Sequence, residues 1–515
     1  MNTRLKLFLT LIIVGSVGIV GFYFARPHII KGGQLITSDS GRAQGIVTIG
    51  IDNWVGYIPL CGRELRKRLH NSGILLQCQD DNADYPGRMK KFHAGNLDFA
   101  VATVDSYILN GAREEFPGTI VAVIDESKGG DAIIGRKDHI SRIEELKIKS
   151  SYKIAFTPSS PSEHLLKSIS SHFDIPALRD KRGSWRVEVN GSQDARKQLE
   201  SGKVDAAVLW EPDVSRVLED TRFVKLLGTE DTRKLIVDIL VVNREYAKKY
   251  PDRAKTVLSQ YFHTLKAYRD QPDLLLEEIQ SATKLSSQKS SALLKGVRWF
   301  NLTENARDWF GIAIDGQSRE NLVETIDSTV EILLDHKDFP TNPLPDHDPY
   351  RLQYRYFVEE LLKEISQFGS TGEASLSTEK KFATLTLDQW ETLTEVGTLR
   401  VRPITFQSGT SDLSAEGKEE INQVVSNLDH YPNFRVLIKG HTGVRGDLEA
   451  NRALSLSRAE SVRNYILELH KTDPNQLRAV GLGSDHPLLR DPGEGDRAYE
   501  YRLPRVELTL VSEAF

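Results

Sequence analysis

The feature that most constrains this chain is an uncharged apolar run near its N-terminus. Residues 7–25 (LFLTLIIVGSVGIVGFYFA) contain no Asp, Glu, Lys or Arg. A helix of about 20 apolar residues crosses the ~30 Å hydrocarbon layer of a bilayer. The run therefore predicts a transmembrane anchor within residues 1–26.

A cleaved signal peptide is the competing interpretation of this run. Such a peptide usually has an apolar core of only about 7 to 15 residues, and residues 23–25 (YFA) lack the small-x-small pattern of a cleavage site. Arg4 and Lys6 favour a cytoplasmic N-terminus, although Arg26 and Lys31 on the other flank weaken that preference. We therefore expect a single-pass inner-membrane protein with the bulk of the chain in the periplasm.

The length of the chain indicates the number of domains, and its charge balance limits the kinds of partner that it can bind. A chain of 515 residues predicts roughly three domains. Its 67 Lys and Arg against 72 Asp and Glu leave no basic excess of the kind that binding to phosphates requires, so no nucleic-acid partner is expected. Polar stretches predict linkers at 27–45 and 366–395, and folded units at 46–365 and 396–515.

The cysteine content excludes two kinds of site. Cys61 and Cys78 are the only cysteines, and no CxxC motif is present, so the chain has neither a disulfide scaffold nor a cysteine zinc site. One disulfide between these residues, or two separately buried thiols, are equally compatible with the sequence. No metal and no cofactor is predicted.

Short apolar runs alternate with helical patterns across residues 46–365. The runs lie at 47–51, 99–102, 119–124, 153–156 and 206–210. Alternation of strand-length and helix-length segments is typical of an α/β architecture.

Two segments of this unit share one pattern. Residues 91–101 and 198–208 each end a helix, continue with a glycine, two residues and an aspartate, and then begin a buried strand. The glycines Gly95 and Gly202 suit left-handed helix C-caps. Each strand is followed by a predicted polar loop, at 103–106 and 210–213. Because ligands collect beyond the carboxyl ends of strands in open α/β sheets, the pattern predicts two similar lobes with a ligand cleft between them.

This unit resembles the periplasmic solute-binding proteins of the taurine, sulfonate, nitrate and thiamine-precursor class. The residues that carry the resemblance are 52–60 (DNWVGYIPL), 95–98 (GNLD), 125–131 (DESKGGD) and 205–212 (DAAVLWEP). The resemblance covers about residues 46–340. It implies two lobes that close on a small solute, with hinges near 134–136 and 237–241.

Polar and aromatic side chains near the ends of the predicted strands are the candidate ligand contacts. They are Asn53, Trp54, Tyr57, Thr103, Asp105, Ser127, Asp131, Ser159, Ser160, Trp210, Glu211 and Asp238. The aromatic residues would form a wall for the ligand or pack the first helix on the sheet. The serines would hold an anion at a helix N-terminus or simply cap the helix. The acids would favour an amine or cationic heterocycle, or serve as caps and surface ion pairs.

Enzymatic motifs are absent from the sequence. It contains no HExxH, GxSxG or GxxxxGK[ST] pattern, which removes support for zinc hydrolysis, a serine nucleophile and a P-loop. We therefore expect a protein that is not an enzyme.

The C-terminal unit has a clear alternation of strands and helices. Strands are predicted at 401–406, 434–439, 477–480 and around 506–510. One helix is predicted after Ser414 as N-cap, with apolar residues at i, i+3, i+4 and i+7, and a second at 453–470. The order predicts an α+β domain.

This domain resembles the OmpA-like, peptidoglycan-associated fold. The matching residues are 404–406 (ITF), 439–446 (KGHTGVRG), Asn451, 454–459 (LSLSRA), 481–483 (GLG) and 505–507 (RVE). The resemblance implies peptidoglycan binding, with Thr442, Asn451 and Arg458 as site residues. In that family an Asp after His-Thr and the Arg of the LSxxRA run hold the zwitterionic end of the diaminopimelate branch. Arg458 fits the second role, but Gly443 stands where the Asp is expected. Asp447 or Glu449 would compensate, or the fold has lost wall binding.

The leading hypothesis is an envelope protein that binds a small solute and the wall, with an ABC permease or another membrane complex as a further partner. A stator subunit of a proton-driven motor is the alternative, but it requires a carboxylate in the membrane, and residues 7–25 contain none. A third hypothesis is a scaffold whose solute-binding fold contacts another protein.

Overall fold

The computed structural model describes residues 45–148, 151–314, 316–367, 382–407, 410–470 and 472–512. The predicted anchor and the first linker up to residue 44 lie outside this part of the chain, as do residues 368–381 of the second linker. Among the described residues, no helix combines the length and apolar character that crossing a membrane requires.

The described strands are numbered in chain order. They are β1 Gly45–Ile51, β2 Ile74–Asp80, β3 Phe99–Thr103, β4 Gly118–Ser127, β5 Asp131–Arg136, β6 Ile154–Phe156, β7 Arg186–Glu188, β8 Ala206–Trp210, β9 Phe223–Gly228, β10 Val237–Asn243, β11 Val297–Trp299, β12 Thr394–Thr398, β13 Arg435–His441, β14 Leu477–Gly481 and β15 Arg505–Ser512.

The α-helices are numbered in the same way. They are α1 Ile58–Cys61, α2 Arg63–Asn71, α3 Tyr85–His93, α4 Val104–Gly111, α5 Glu145–Ile148, α6 Pro161–His172, α7 Ser192–Glu200, α8 Asp213–Val217, α9 Arg244–Lys249, α10 Pro251–Asp270, α11 Pro272–Thr283, α12 Ser287–Lys295, α13 Leu302–Glu304, α14 Asn321–Asp335, α15 Tyr356–Gln367, α16 Leu387–Glu391, α17 Ala415–Leu428, α18 Leu448–Leu469 and α19 Asp496–Arg502.

Two sheets form the cores of two lobes. The sheet of lobe 1 has the order β11-β4-β10-β3-β1-β2, and that of lobe 2 has the order β7-β6-β8-β5-β9. Strands β3, β4, β5, β8 and β10 are buried almost throughout, because helices cover both faces of each sheet. The predicted two-lobed α/β architecture is confirmed.

The chain passes between the lobes twice. Strand β4 of lobe 1 leads through residues 128–130 into β5, which joins the lobe 2 sheet antiparallel to β8 and β9. Strand β9 leads back through residues 229–236 into β10, which lies antiparallel to β3 and β4. We call 128–130 and 229–236 the crossing segments. The residues near which hinges were predicted, 134–136 and 237–241, lie within β5 and β10, the strands that follow the two crossing segments.

The repeated pattern folds as predicted in both lobes. Gly95 and Gly202 both have φ of +71°, a left-handed conformation that glycine adopts without steric cost. The first predicted polar loop, 103–106, is instead the beginning of α4. Thr103 is the N-cap of this helix, and its side chain accepts a hydrogen bond from the Ser106 amide.

Cys61 and Cys78 are joined by a disulfide, with Cα atoms 6.2 Å apart. It ties the end of α1 to β2, so the single bridge lies within lobe 1. Of the two states that the sequence left open, the structure has the bridged one.

The C-terminal domain is built on the sheet β12-β15-β13-β14. The strand predicted at 401–406 was wrong, because only Phe406 forms an isolated bridge there, with Leu413. The outer strand comes earlier, at β12, and pairs antiparallel with β15. Residues 382–395, predicted as linker, include α16 and the beginning of β12, so the predicted start at 396 falls inside a strand.

This domain packs on lobe 2. The Tyr431 hydroxyl lies 2.8 Å from His172 Nδ1, and its ring lies 5.3 Å from that of Phe173. His430 stacks on His172 with ring centroids 5.3 Å apart. Buried apolar residues of lobe 2 and of the C-terminal domain form one continuous core.

The same domain also holds the second crossing segment. The Arg233 amide donates to the His430 carbonyl at 2.9 Å, and His430 Nδ1 lies 2.9 Å from the Arg233 carbonyl. Asn433 Nδ2 donates to the Glu230 carbonyl at 2.8 Å. The C-terminal domain thus contacts both lobe 2 and the segment that connects it to lobe 1.

Candidate functional site

The cleft between the lobes begins at the carboxyl end of β1. Asp52 accepts from the Trp54 amide at 2.9 Å and from Arg88 at 3.0 Å. Arg88 is fully buried and also binds Asp81 and the Val101 carbonyl. A buried guanidinium needs such partners, because burying a charge without them costs several kcal/mol. This arginine is therefore fully engaged and fixes the loop that carries Trp54.

Two predicted aromatic residues hold a pair of buried carboxylates. Trp54 Nε1 donates to Asp125 Oδ1 at 3.2 Å, and the Tyr57 hydroxyl donates to Asp238 Oδ1. Asp238 on β10 and Asp125 on β4 are direct cross-strand partners, so their side chains lie on the same face of the sheet. Trp54 and Tyr57 thus contact the acid pair as well as the cleft.

Burial governs the ionisation of this pair. It raises the pKa of Asp125 to about 7, although hydrogen bonds with Trp54 and Asp238 oppose the rise. Burial raises the pKa of Asp238 well above its usual range, and the charge of Asp125 adds to the effect. Two like charges this close favour a proton shared between the carboxylates.

Two further buried acids lie at the junction of the lobes. Burial raises the pKa of Asp131, at the start of β5, to about 7, and the charges of Asp105, Glu211 and Asp52 raise it further. Burial likewise raises the pKa of Asp105, in the first turn of α4, to about 7. Both side chains are buried, and the charge of Asp105 is one of the causes that raise the pKa of Asp131.

The lobes touch across the cleft. Trp210 Nε1 of lobe 2 donates to Asn53 Oδ1 of lobe 1 at 3.2 Å. Asn110 Nδ2 of α4 donates to the Ser159 carbonyl of lobe 2 at 3.0 Å. Trp54 packs so closely on Gly130 that a Cβ there would lie 2.1 Å from the indole ring. A side chain at position 130 would therefore displace the tryptophan.

A cavity of about 580 Å³ opens between the lobes beside this junction. Lobe 1 contributes Asp52, Asn53, Trp54 and Tyr57 to its wall, and lobe 2 contributes Gln193, Pro212, Asp213 and Arg216. Because Trp54 and Tyr57 line the cavity and also bind Asp125 and Asp238, the aromatic pair separates the cavity from these acids. The volume lies in the range of small-molecule sites.

The remaining predicted contacts have structural partners. Ser160 caps α6, and Glu163 accepts from the Ser159 amide at 2.7 Å, so a carboxylate of the chain already occupies this helix N-terminus. Glu211 accepts from both the amide and the hydroxyl of Ser215. The Ser127 hydroxyl lies 2.7 Å from that of Thr229, a contact between the end of β4 and the second crossing segment.

Three residues of the cleft were not predicted. Asp125 directly follows the predicted strand 119–124, and only the extension of β4 to Ser127 places it opposite Asp238. Asn110 lies two turns into α4, beyond the predicted loop at 103–106, and no motif marks it. Arg88 reads as an ordinary charge on an amphipathic helix, and no local signal marks it as buried.

The second candidate site lies at the end of β13 in the C-terminal domain. The Thr442 amide donates to the Gly483 carbonyl at 2.8 Å, and the Gly483 amide donates to Ser455 Oγ at 2.9 Å. Asn451 Nδ2 donates to the Arg445 carbonyl at 3.1 Å. Hydrogen bonds thus tie the loops around Thr442 and Gly483 to α18, but none joins Thr442, Asn451 and Arg458 to one another among the described residues.

Residues 405–500 match the model of the OmpA family. The prediction of an OmpA-like C-terminal domain is confirmed. Outer membrane protein Omp38 of Acinetobacter baumannii is 31% identical over 115 residues, which are 22% of this chain and 32% of Omp38. A peptidoglycan-associated lipoprotein of Rhizobium meliloti is 28% identical over 85 residues, 16% of this chain and 48% of the lipoprotein. The chain thus spans less than half the length of these relatives.

Among solved structures, the alkanesulfonate-binding protein SsuA from Xanthomonas axonopodis pv. citri, bound to MOPS, aligns with 61% of this chain and 99% of its own. The TM-score is 0.46 and the sequence identity is 15%. The assignment of two lobes rests on the sheets and crossing segments of this chain.

Arg458 of the OmpA domain has no acidic partner among the described residues. Its guanidinium lies 5.1 Å from the centre of the Phe406 ring, and its Nε donates weakly to the Thr410 carbonyl at 3.4 Å. Burial lowers its pKa. The buried Thr442 hydroxyl also has no partner in this part of the chain. The Arg458 guanidinium therefore has no competing anion in the part of the chain that the structure describes.

Gly443, where the resemblance leads one to expect Asp, tolerates a side chain. Its φ is not positive, and a Cβ there would meet no atom within 4 Å. The nearby acids have other partners. Asp447 caps α18 through the Ala450 amide, Glu500 pairs with Arg445, and Asp485 pairs with Arg452.

Proposed function

We propose that this chain is a non-enzymatic protein of the cell envelope that encloses a small solute between its two lobes and attaches to peptidoglycan through its OmpA domain. The observation that carries the proposal is the union, in one chain, of a two-lobed cleft fold and an OmpA domain that packs on lobe 2. The uncharged run at 7–25 would anchor the chain in the inner membrane, where an ABC permease or another membrane complex is a fitting partner.

Wall attachment is supported by the state of the Arg458 site. A guanidinium that has no carboxylate partner among the described residues leaves a carboxylate of the wall peptide as the fitting partner. Solute binding is supported by the cavity that both lobes line and by the two crossing segments, which allow one lobe to rotate against the other.

Two measurements on the full-length chain test the proposal. The detergent-solubilised protein should sediment with isolated peptidoglycan. If it stays in the supernatant at every concentration, the proposed attachment to the wall is refuted. Fractionation of cells should place the intact chain in the inner membrane. A soluble mature form that begins after residue 25 would contradict the membrane anchor, but it would not affect the proposals of solute binding and wall attachment.

A further inference from the structure

The end of lobe 1 opposite the cleft exposes a group of tyrosines. Among the described residues of the two-lobed unit, five large apolar or aromatic side chains are at least 36% exposed. One is Leu274, and the other four are Tyr250, Tyr350, Tyr354 and Tyr356. Single exposed apolar residues are common, but a contiguous group of them is typical of a surface that another molecule covers.

Contacts join these tyrosines into one surface. The rings of Tyr354 and Tyr356 lie 5.8 Å apart. Arg244 Nη2, at the start of α9, donates to the Arg351 carbonyl at 2.9 Å and so ties this helix to the segment that carries the other tyrosines. Helix α9 ends at the residue before Tyr250. We call residues 244–253 together with 349–357 the distal surface of lobe 1.

The distal surface lies at the end of the sheet away from the cleft. Strand β10 runs antiparallel to β4, so Asn243 at its end lies beside Gly118 at the start of β4. The Tyr354 amide donates to the Ile120 carbonyl of β4 at 2.8 Å. The cleft lies beyond the other, carboxyl ends of β1 and β4. A molecule that covers the distal surface therefore leaves the cleft open to a solute.

Cations surround the tyrosines. Residues 244–253 contain two Lys and two Arg against one Glu and one Asp, a net charge of +2 in a chain whose net charge is −5. Arg244, Lys248 and Lys249 are exposed, and none of them has an acidic partner among the described residues. Lys249 Nζ lies 5.2 Å from the centre of the Tyr250 ring. Residues 349–357 add two arginines, each paired with an acid.

The N-terminal segment joins lobe 1 at this same surface. Gly45, the first residue of β1, lies so close to Arg253 that a Cβ on Gly45 would be 2.5 Å from the guanidinium carbon. The Arg253 guanidinium lies 4.6 Å from the centre of the Tyr250 ring. A flexible chain of 19 residues, the length of 26–44, has an average end-to-end distance of about 25 Å. A membrane that holds residues 7–25 is therefore within reach of the distal surface.

We propose that the distal surface docks on the phospholipid headgroups of the membrane that holds the anchor. The inference rests on the proposed anchor at 7–25 and goes beyond it, because it specifies which face of lobe 1 meets the lipid. Tyrosine rings favour the headgroup level of a bilayer, and Lys and Arg side chains are attracted to anionic headgroups. The position of Gly45 favours lipid over a separate protein, because the chain itself brings this surface to the membrane.

Quenching by lipid on the full-length chain tests the docking. Because both native cysteines are in the disulfide, an NBD label attaches only to an introduced thiol. We would place the label at Asp252→Cys in the distal surface and, separately, at Lys203→Cys, an exposed position after α7 of lobe 2. In vesicles of phosphatidylethanolamine and phosphatidylglycerol, a nitroxide on the headgroup should quench the label at 252 and not the label at 203. Equal quenching at both positions would overturn the docking.

Variants of exposed side chains identify the contact. The double variant Lys248→Gln, Lys249→Gln removes two charges and should weaken docking, measured from the quenched fraction of the label at 252, roughly thirtyfold. Tyr354→Ser with Tyr356→Ser should weaken it as well. The matched control Lys203→Gln should leave the quenching unchanged. Unchanged quenching in both double variants would overturn the assigned surface.

Flotation with the same vesicles separates this inference from the anchor on which it rests. A chain that floats with the vesicles but shows no quenching at 252 would keep the anchor and overturn the docking. A chain that neither floats nor is quenched would overturn both. Quenching that appears only in native membrane vesicles doped with the nitroxide lipid would overturn the lipid partner and assign the distal surface to a membrane protein.

Discussion

The cleft and the OmpA-domain site have opposite deficits of charge. Four buried carboxylates of the cleft lack a cation, while Arg458 of the OmpA domain lacks a carboxylate. Among the other described residues, Arg88 and Lys167 show the usual arrangement, in which a buried charge has an ionic partner. A poorly solvated charge without a partner reduces stability, so each of the two regions is a place where a ligand would supply the missing charge.

The largest expected effect is a gain in stability when Asp131, a buried acid of the cleft without a cationic partner, is replaced. Folded protein keeps the Asp131 proton up to about pH 7, while the unfolded chain releases it near pH 4. The folded state therefore binds more protons in this window, so stability falls as pH rises from about 4 to 7 and stays reduced above it. Asp131→Asn should stabilise the empty protein by up to about 4 kcal/mol at pH 8 and by much less at pH 5.

Urea unfolding at both pH values measures this difference, with Asp194→Asn as the exposed control. An equal gain at pH 5 and pH 8 would show that the folded protein does not hold Asp131 protonated. The claim that the cleft contains an uncompensated buried acid would then be refuted.

The second prediction concerns the disulfide, which lies in the two-lobed unit and has no counterpart in the OmpA domain. The disulfide closes a segment with a sequence separation of 17, and a loop of that size contributes about 3 kcal/mol on the chain-entropy model. The OmpA domain contains no cysteine. The double variant Cys61→Ser, Cys78→Ser should lower the unfolding free energy of the two-lobed unit by about this amount while peptidoglycan sedimentation is retained. Two freely alkylated thiols in the untreated protein would contradict the bridge.

Removal of the Arg458 guanidinium should weaken the binding of peptidoglycan by the OmpA domain. Arg458→Ala is expected to weaken peptidoglycan binding by about 1.5 to 3 kcal/mol, roughly tenfold to a hundredfold. Arg463→Ala is the matched control, since it lies on the same helix and binds the Leu477 carbonyl. Equal sedimentation of the wild type and Arg458→Ala would remove the assigned site.

The smallest effect is a gain from completing the charge pair. Gly443→Asp introduces an anion into open space on backbone that accepts a side chain. A partly exposed ionic contact with the ammonium of a zwitterionic peptide end adds about 1 kcal/mol or less, a severalfold gain in affinity. The matched variant Gly443→Asn separates charge from size. If only the Asp variant sediments with peptidoglycan, the natural domain has kept its fold and lost this ligand.

Local patterns predicted most of the framework. Gly95 and Gly202 mark helix ends because only glycine adopts the left-handed conformation without cost, and Ser414 caps α17 as expected. The wrong predictions concern tertiary pairing. Residues 401–406 have the apolar pattern of a strand, yet β12 takes the place beside β15. The hinge positions and the burial of Arg88 depend on which strands meet, and no local pattern contains that information.

The attachment of the OmpA domain has a mechanical consequence. The N-terminal segment enters lobe 1 at Gly45, whereas the OmpA domain grips lobe 2 and the Glu230–Arg233 part of a crossing segment. In a chain held by a membrane at one end and by the wall at the other, a change in the spacing between membrane and wall would load the two lobes in opposite directions. Tension between the membrane and the wall would then pull the two lobes apart, and stretching would favour release of the solute.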